Sequence, residues 1–439
     1  MTPTGSIVDR SVYRPVQYLG SKLRVLPQLR AAVSTDPGPQ TVWEPFAGSS
    51  VVGQSLAAAG HRVIAWDALA SSATFAQALL GVGQHDGDTD VAPLRAILPL
   101  SREIPTPTAW SPWLAKERDA LHAKDGQTLL GIGRTMPQGW RNAPKRLIPR
   151  DMGAPPALLS ETFAGTYFGL RQALRLERLR AAIDLADERA GLSPWSRAVA
   201  LTALCAAAST AVFSAGKHFA QPHRVPEGKD SNFHARRALH DRSVDVDQVF
   251  QAAVQDICLA ARPSSERHEA GIGRVENATV DDLRRRGVST VYADPPYTAQ
   301  QYSRFYHLLE TLISGQVSTL QLVKGEVTRG LYPDSRYLSP FCSRRQAPAA
   351  FIHLAAIARQ AGARLVLSYS ATANQSGQTG NARTVTLSDL VAFIRTAYPH
   401  GGVTVTELDV RYRQFNQQGS AIPGRDDPEY LIIGDPDAR

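Results

Sequence analysis

Cysteine and methionine are scarce in this chain, which contains only three of each among its 439 residues. The cysteines, Cys205, Cys258 and Cys342, are widely spaced and form no C-x-x-C pair. That spacing indicates neither a disulfide framework nor a zinc site. A reducing cytoplasm is the compartment that such cysteine usage fits best.

Long hydrophobic runs are also missing. The N-terminus, M-T-P-T-G-S-I-V-D-R, has no apolar segment, and we do not expect it to be a signal peptide. Residues 198–216 carry no charge, but Ala, Ser and Thr dominate them, which predicts a buried helix and no membrane span. Histidines at 218, 223, 234 and 240 follow no metal-ligand spacing, so no metal site is expected.

The composition is that of a soluble globular protein, with 43% hydrophobic and 20% charged residues. The length allows two or three domains or one elaborated domain. A net charge of +8 suits a polyanionic partner. We see neither an internal repeat nor a separate nuclease-like module.

Residues 289–312 form the most informative stretch. An apolar, β-branched run at 290–293 predicts a buried strand, which ends at Asp294. Pro295 and Pro296 follow, and they stiffen the turn that Tyr297 closes. Apolar residues then recur at helical spacing from Tyr302 onward. The predicted unit is therefore a strand, a rigid polar turn and a helix.

This D-P-P-Y turn offers two fixed hydrogen-bond acceptors, the Asp294 carboxylate and the Pro295 carbonyl. An exocyclic aromatic amine is a poor nucleophile, and two acceptors could take its N–H bonds and leave its lone pair aimed at an electrophile. Tyr297 offers a flat face on which an extruded base could stack. The alternative is an ordinary Pro-Pro turn with a capping Asp and a core Tyr.

A second unit lies at 41–67, where a strand, a turn of small residues and a helix precede another strand. The turn around Phe46 and Gly48 would let a ligand approach closely, and Asp67 at the tip of the second strand could bind ribose hydroxyls. The alternative is an ordinary tight turn. Upstream, Gly20 could let backbone approach a ligand and Lys22 could contact an anionic group, although a solvent-facing lysine at a helix start is the alternative. Ser21 is expected to cap that helix, which Pro27 should bend or shorten.

Between 68 and 267 the alternation of strands and helices stops, and 134–150 is basic and aromatic. We expect nucleic-acid phosphates to meet this loop and the later polar connections, although a solvated basic loop is equally compatible. Beyond 294 the alternation resumes, with Ser388 capping a helix and a final hairpin whose strands, 403–410 and 430–433, flank a long loop. The candidate nucleic-acid contacts are Arg134, Arg141, Lys145, Arg146, Arg329, Arg344, Arg411 and Arg413.

These motifs occur in the order used by the Dam-like, alpha-group N6-adenine DNA methyltransferases. The segments concerned are Y-L-G-S-K at 18–22, E-P-F-A-G-S-S at 44–50, Asp67, and D-P-P-Y at 294–297. The surroundings of D-P-P-Y, with S-P-F-C-S-R-R-Q-A and L-V-L-S-Y-S downstream, resemble the subset found in type II restriction-modification systems.

The resemblance implies a Rossmann-like α/β methyltransferase sheet, mostly parallel with an antiparallel last hairpin, and a large, mainly helical inserted target-recognition region. The catalytic domain would comprise 1–80 and 268–439, with the insert at 81–267. It also implies S-adenosylmethionine as cofactor and a flipped adenine in double-stranded DNA as substrate. The implied cofactor-binding residues are Tyr18, Gly20, Lys22, Glu44, Phe46, Gly48, Asp67, Asn277 and Asp294, and the implied catalytic residues are Asp294, Pro295, Pro296 and Tyr297.

Two positions depart from the family pattern. Ser50 stands where the family has a second glycine, and Asn277 stands where it usually has an acid that accepts from the cofactor's adenine amine. We therefore expect weaker cofactor binding. N4-cytosine methylation and an inactive DNA-binding module are the competing hypotheses. A restriction or phage-defence setting, with partner proteins of such a system, is also expected.

Overall fold

The computed structural model describes residues 12–34, 38–84, 87–137, 157–223, 225, 232–261, 268–316, 318–371, 383–400, 402–415 and 421–436. Within these ranges a seven-stranded sheet has the strand order β3-β2-β1-β4-β7-β9-β8, and a separate two-stranded ribbon pairs β5 with β6. The strands are β1 (Thr41–Glu44), β2 (Arg62–Asp67), β3 (Glu269–Ile272), β4 (Thr290–Ala293), β5 (Leu322–Val323), β6 (Glu326–Val327), β7 (Arg364–Ser370), β8 (Val403–Phe415) and β9 (Ala421–Gly434).

The sheet is parallel from β3 through β7, and β9 runs antiparallel to both β7 and β8. This mixed α/β arrangement is consistent with a methyltransferase fold, and it confirms the predicted mostly parallel sheet with an antiparallel last hairpin. Strand β4 is buried at all four positions, as expected for the apolar run T-V-Y-A.

The order of strands brings the carboxyl ends of β1, β2 and β4 together. The chain passes from β1 to β2 on one side, whereas β4 pairs with the other side of β1. The carboxyl ends of these parallel strands therefore meet at one edge, where open α/β sheets bind their ligands. Glu44, Asp67 and Asp294 all lie at that edge.

Helices cover both faces of the sheet and fill the stretch between β2 and β3. They are α1 (Leu26–Val33), α2 (Val51–Ala58), α3 (Ala70–Leu79), α4 (Gly87–Val91), α5 (Leu94–Glu103), α6 (Ser111–His122), α7 (Gly126–Thr135), α8 (Leu170–Ala190), α9 (Pro194–Ala211), α10 (Asn232–Arg242), α11 (Val246–Ala260), α12 (Val280–Arg285), α13 (Tyr302–Ser314), α14 (Ala347–Gln360) and α15 (Leu387–Ala397).

Neighbouring residues of β1 show how the two faces are divided. Val42 packs in a cluster with the apolar residues of α1 and α2, whereas Trp43 packs in a cluster with those of α14 and α15. Successive side chains of a strand point to opposite faces, so two β1 neighbours enter different cores. The sheet is thus held between two helical layers.

The helices between β2 and β3 do not form an isolated core. Helices α8, α9 and α11 share one apolar cluster with Phe75 of α3 and with Leu309 and Leu312 of α13. The helix that follows the D-P-P-Y turn is therefore packed directly against the middle of the chain. The division into domains at 80 and 267 remains a prediction.

Several local predictions were wrong. The first helix begins at Leu26, not at Ser21, and Pro27 lies in its first turn, where its missing N–H is tolerated. Thr386, not Ser388, caps α15, because its side chain accepts from the Asp389 N–H. Strands β8 and β9 extend through most of the expected loop, so positions 411 and 413 lie in a strand.

The alanine-rich segment forms the buried helix α9, as predicted. Among the helices that the structure describes, none is long and apolar enough to cross a membrane.

Glu177 of α8 is a buried carboxyl that ties this helix to the turn at Leu159 and Ser160. One of its oxygens accepts from the backbone N–H groups of Leu159 and Ser160, both at 2.6 Å. Burial raises the pKa of Glu177 to about 7. The folded state therefore holds this proton more tightly than the unfolded state, and the stability it provides is lost as the pH rises toward the folded pKa.

We predict that Glu177→Gln, which keeps an acceptor oxygen but cannot ionise, gains stability relative to the wild type as the pH rises. Thermal denaturation of both proteins at about pH 5 and about pH 8 measures the difference. The variant should melt closer to, or above, the wild type at the higher pH. An exposed carboxyl of the same helix, Glu188, supplies the control, since Glu188→Gln should track the wild type at both values.

Candidate active site

The turn after β4 is braced by its neighbours. Asp294 is half-buried, and Pro295 behind it is buried. The Thr384 N–H donates to the Tyr297 carbonyl at 3.0 Å, and the Thr384 hydroxyl donates to the Phe341 carbonyl at 2.8 Å. These bonds tie the turn to segments far along the chain, so its backbone is fixed from outside as well as by its prolines.

Lys22 lies between two carboxylates. Its Nζ is 2.9 Å from Asp294 Oδ1 and 3.2 Å from Glu429 Oε1. The lysine is only 3% exposed, and Glu429, from β9, is fully buried. Burial raises the pKa of both carboxyls, and the Lys22 ammonium opposes that rise in each case. The one ammonium thus favours the ionised form of both acids.

The turn between β1 and α2 is shaped around Gly48, which has φ +54°. A Cβ at Gly48 would lie 2.9 Å from Tyr18 Cε1, so only glycine allows the Tyr18 ring to cover this turn. Asp67 holds the same turn, because its carboxylate accepts from the N–H groups of Gly48 and Leu69, each at 2.9 Å. Burial raises the pKa of Asp67 to about 7.

Glu44, the last residue of β1, is 2% exposed. Burial raises the pKa of Glu44 well above its usual range, and the carboxyls of Asp67 and Asp294 add to the rise. Its Oε2 lies so close to Gly53 that a Cβ there would be 2.7 Å away. A neutral acid in this position would ionise readily if a cation came beside it.

These groups surround one cavity of about 860 Å³, a volume that includes the open solvent at its mouth. Small-molecule sites typically have volumes of about 300–1,000 Å³. The cavity brings together most of the residues that the sequence predicted to bind a cofactor: Tyr18, Gly20, Lys22, Glu44, Phe46, Gly48, Asp67 and Asp294. Of the predicted catalytic turn, Pro296 also lines it, whereas Pro295 and Tyr297 lie beside it.

Tyr297 is half-buried, and its side chain packs against a guanidinium group and a second aromatic ring. The Arg383 guanidinium carbon lies 5.0 Å from the centroid of the Tyr297 ring, and the Tyr369 ring is also 5.0 Å away. Arg383 in turn donates to the hydroxyl of Ser370 at 3.1 Å, at the end of β7. A cation and an aromatic ring therefore hold the orientation of Tyr297.

Asn277 does not line the cavity. It is exposed at the end of a short 3₁₀ helix, Val275–Asn277, whereas its neighbour Glu276 does face the cavity. Glu276 Oε1 accepts from the Tyr337 hydroxyl at 2.9 Å, and Tyr337 is another lining residue. An acidic side chain, that of Glu276, therefore lines the cavity one residue before position 277.

The predicted nucleic-acid contacts are dispersed. Arg134 is half-buried and donates to the Val225 carbonyl, while Arg329 and Arg344 are exposed, and none of the three lines the cavity. Arg141, Lys145 and Arg146 lie outside the described residues. Arg411 and Arg413 lie in β8, whose backbone alone is described there.

Sequence reasoning missed Glu429 and two tyrosines. Tyr306 stacks on Tyr18 at 4.6 Å with an interplanar angle of 3°, and Tyr302 lies 5.8 Å from Tyr18. An alternating pattern could have revealed Glu429, because Glu429, Leu431 and Ile433 share one face of β9 and the latter two are core residues. The prediction began that strand at position 430 and so left Glu429 in a loop.

Ser50 occupies a strained position. It has φ 60°, is fully buried, and its hydroxyl has no hydrogen-bond partner among the described residues. Left-handed backbone disfavours residues with a side chain, and an unpaired buried hydroxyl adds a further cost. The side chain at this position therefore strains the turn between β1 and α2, and it does not line the cavity.

We predict that Ser50→Gly stabilises the protein by up to about 1 kcal/mol, because glycine adopts this φ without strain. Differential scanning calorimetry of the two proteins measures the gain. Ser50→Ala separates the causes, since alanine removes the unpaired hydroxyl and retains the backbone strain. A Ser50→Gly protein less stable than Ser50→Ala would contradict the role given to the backbone.

Residues 18–95 match the family model of the D12 class N6 adenine-specific DNA methyltransferases. The matched range contains Tyr18, Lys22, Glu44, Gly48 and Asp67, and it ends well before the D-P-P-Y turn. A comparison with curated proteins finds no match. Residues 18–95 are thus similar to the D12 class N6 adenine-specific DNA methyltransferases, and this similarity, together with the sheet and the cavity, indicates an adenine-N6 DNA methyltransferase.

Proposed function

We propose that the chain transfers a methyl group from S-adenosylmethionine to the N6 amine of an adenine flipped out of double-stranded DNA. The observation that carries this proposal is that Asp294 and the Gly48 turn face one cavity. This arrangement would place a hydrogen-bond acceptor for an amine next to a binding site for a nucleoside-like cofactor. Methyl transfer needs such proximity, since orientation of the reactants accounts for much of the catalysis in a direct displacement.

The cavity suits S-adenosylmethionine. When bound, this cofactor supplies an electrophilic methyl group on a positively charged sulfur. The Asp67 carboxyl can accept from ribose hydroxyls, and Phe46 offers an aromatic surface to the cofactor. Glu44 can offset positive charge on the methionine portion of S-adenosylmethionine, and Lys22 and Tyr18 also line the cavity. The lining thus combines aromatic surface and carboxyl groups, as a cationic nucleoside requires.

For the cofactor's adenine amine, we propose Glu276 as the acceptor in place of Asn277. Glu276 lines the cavity and Asn277 does not. The Tyr337 hydroxyl already donates to Glu276 Oε1, which leaves Oε2 and further lone pairs free to accept. The departure at position 277 then does not deprive the site of its acid.

On the amine side, Asp294 is the acceptor for the target. Its Oδ1 is held by Lys22 at 2.9 Å, which favours the ionised, acceptor-only state, and Oδ2 stays available for an N–H donor. The Pro295 carbonyl would take the second N–H bond, and Tyr297 would stack on the base. Together these groups would favour a pyramidal nitrogen whose lone pair is free to attack the methyl carbon.

The wider setting is also a proposal. Residues 81–267 would contain the target-recognition region, and basic residues such as Arg134, Arg329 and Arg344 would contact phosphates. The resemblance to type II restriction-modification methylases supports a role beside a restriction or phage-defence partner. Such a role would place the protein in the cytoplasm.

The direct test incubates the protein with labelled S-adenosylmethionine and unmethylated genomic DNA, followed by digestion and identification of the modified nucleoside. Label in N6-methyladenine supports the proposal. Label in N4-methylcytosine would instead establish the cytosine alternative. DNA binding together with cofactor binding, but without transfer, would identify an inactive DNA-binding module.

We predict that Asp294→Asn lowers kcat by about 100-fold or more, because the amide cannot act as a charged acceptor for the amine. DNA binding should change little. Asp281→Asn, which removes an exposed carboxylate from α12, is the matched control and should leave kcat unchanged. Full activity of Asp294→Asn would refute the role of this carboxylate.

The raised pKa of Asp294 gives a further prediction for the same assay. The protonated acid cannot accept from the amine, so kcat should rise with pH until the carboxyl has ionised. A pH profile of kcat at saturating DNA and cofactor measures this. A kcat that falls with rising pH over the range in which the Asp294 carboxyl ionises would contradict its role as the acceptor.

A further inference from the structure

Two arginines, Arg304 and Arg336, do not line the cavity but are sequence neighbours of residues that do. Ser303, in the first turn of α13, and Tyr337 both line the cavity, and the Ser303 hydroxyl donates to the Tyr337 carbonyl at 2.6 Å. Arg304 follows Ser303 in sequence, and Arg336 precedes Tyr337. Each arginine is therefore next in sequence to one of two lining residues that hydrogen bond to each other.

Both side chains stack on one buried ring. The guanidinium carbon of Arg304 lies 4.9 Å from the centroid of Tyr332, and that of Arg336 lies 5.4 Å from it. Tyr332 is only 5% exposed, and its hydroxyl accepts from Arg304 Nη2 at 3.1 Å. The ring fixes the positions of both guanidiniums, which lowers the entropy lost when they bind a ligand.

The charges of this pair are not balanced within the described residues. Neither Arg304 nor Arg336 has a carboxylate within ion-pair distance there, and the buried Nε of each lacks an acceptor. Arg336 donates only to neutral oxygens, Gln321 Oε1 at 2.7 Å and the Pro333 carbonyl. Burial, with the neighbouring Arg304, lowers the pKa of Arg336. By contrast, the half-buried Arg197 pairs with two aspartates.

The helix adds to the positive potential. Arg304 lies in the first turn of α13, and that turn contains no acidic residue. The N-terminus of a helix carries partial positive charge, which makes it an unfavourable place for a cation and a favourable one for an anion. Two arginines and a helix end thus converge where no anion of the described chain balances them.

We propose that Arg304 and Arg336 bind a phosphodiester group of the DNA strand that carries the target adenine. The inference rests on the proposed function and extends it. Planar guanidiniums match phosphate oxygens bidentately, and the residues next to this pair in sequence, Ser303 and Tyr337, line the cavity that would receive a flipped base. A backbone phosphate held there would fix the register of the extruded nucleotide.

The test measures binding of a fluorescein-labelled duplex at several salt concentrations by fluorescence anisotropy. The slope of log Kobs against log salt is negative, and each lost phosphate contact reduces its magnitude by about 0.9. Arg304→Gln and Arg336→Gln should each show about this loss, and the double variant about twice as much. The affinity should fall by a similar factor on two duplexes of unrelated sequence, as expected of a backbone contact.

Three controls make the result specific. Arg395→Gln removes the same charge from an exposed position on α15 and should keep the wild-type slope. Arg304→Lys with Arg336→Lys retains both charges and should restore most of the slope. The Kd for S-adenosylmethionine and the melting temperature of the glutamine variants report on the cofactor site and on folding.

An unchanged salt slope in the double glutamine variant would overturn the inference, and so would a loss confined to cofactor affinity or to melting temperature. Those results would assign the arginines to the cofactor carboxylate or to a structural clamp on Tyr332. Wild-type protein that methylates adenine in the same preparation would show that the proposed function stands. Wild-type protein that neither binds the duplex nor transfers methyl would overturn both.

Discussion

The site depends on one buried cation between two carboxylates. Lys22 joins three segments that are distant in sequence: its own loop, the end of β4 through Asp294, and β9 through Glu429. Loss of one partner from a buried ion pair typically costs about 3–5 kcal/mol, because the remaining charge is left without compensation in a medium of low dielectric. The position and ionisation of the Asp294 carboxylate therefore depend on a lysine near the start of the chain and on a glutamate near its end.

Helix α13 links the D-P-P-Y turn to the Gly48 turn and to the segment that follows Asp67. Tyr306 stacks on Tyr18, and its hydroxyl accepts from the Leu19 N–H at 2.8 Å. One turn further along the helix, Glu310 accepts from the N–H groups of Ala70 and Ser71 at the start of α3. These bonds cap α3 directly after Asp67. One helix thus fixes the aromatic cover of the Gly48 turn and the strand end that presents Asp67, while its own N-terminus follows the D-P-P-Y turn.

The parts of the site that sequence could predict are local in the chain. The strand, the turn at 294–297 and helix α13 follow from an apolar run, two prolines and helical spacing, and Gly48 and Asp67 follow from their places in a strand-turn-helix-strand unit. The partners of these residues could not be found in this way. Alternation could place Glu429 in β9, but its ion pair with Lys22 depends on sheet pairing, which no spacing in the sequence encodes. Local rules also misplaced the start of α1, since Pro27 suits a first turn as well as a bend.

The distribution of charge argues for how a substrate would enter. Glu44, Asp67 and Asp294 all line the cavity, and Lys22 is already paired with Asp294 and Glu429. Such carboxyl groups can balance a cationic ligand once they ionise, whereas Arg304 and Arg336, next in sequence to the lining residues Ser303 and Tyr337, carry the opposite sign. On the proposed function, a nucleotide of a polyanionic duplex would place its phosphates toward these arginines and its uncharged base toward the cavity. Base flipping accomplishes that separation, so the distribution of charge is compatible with the proposed function.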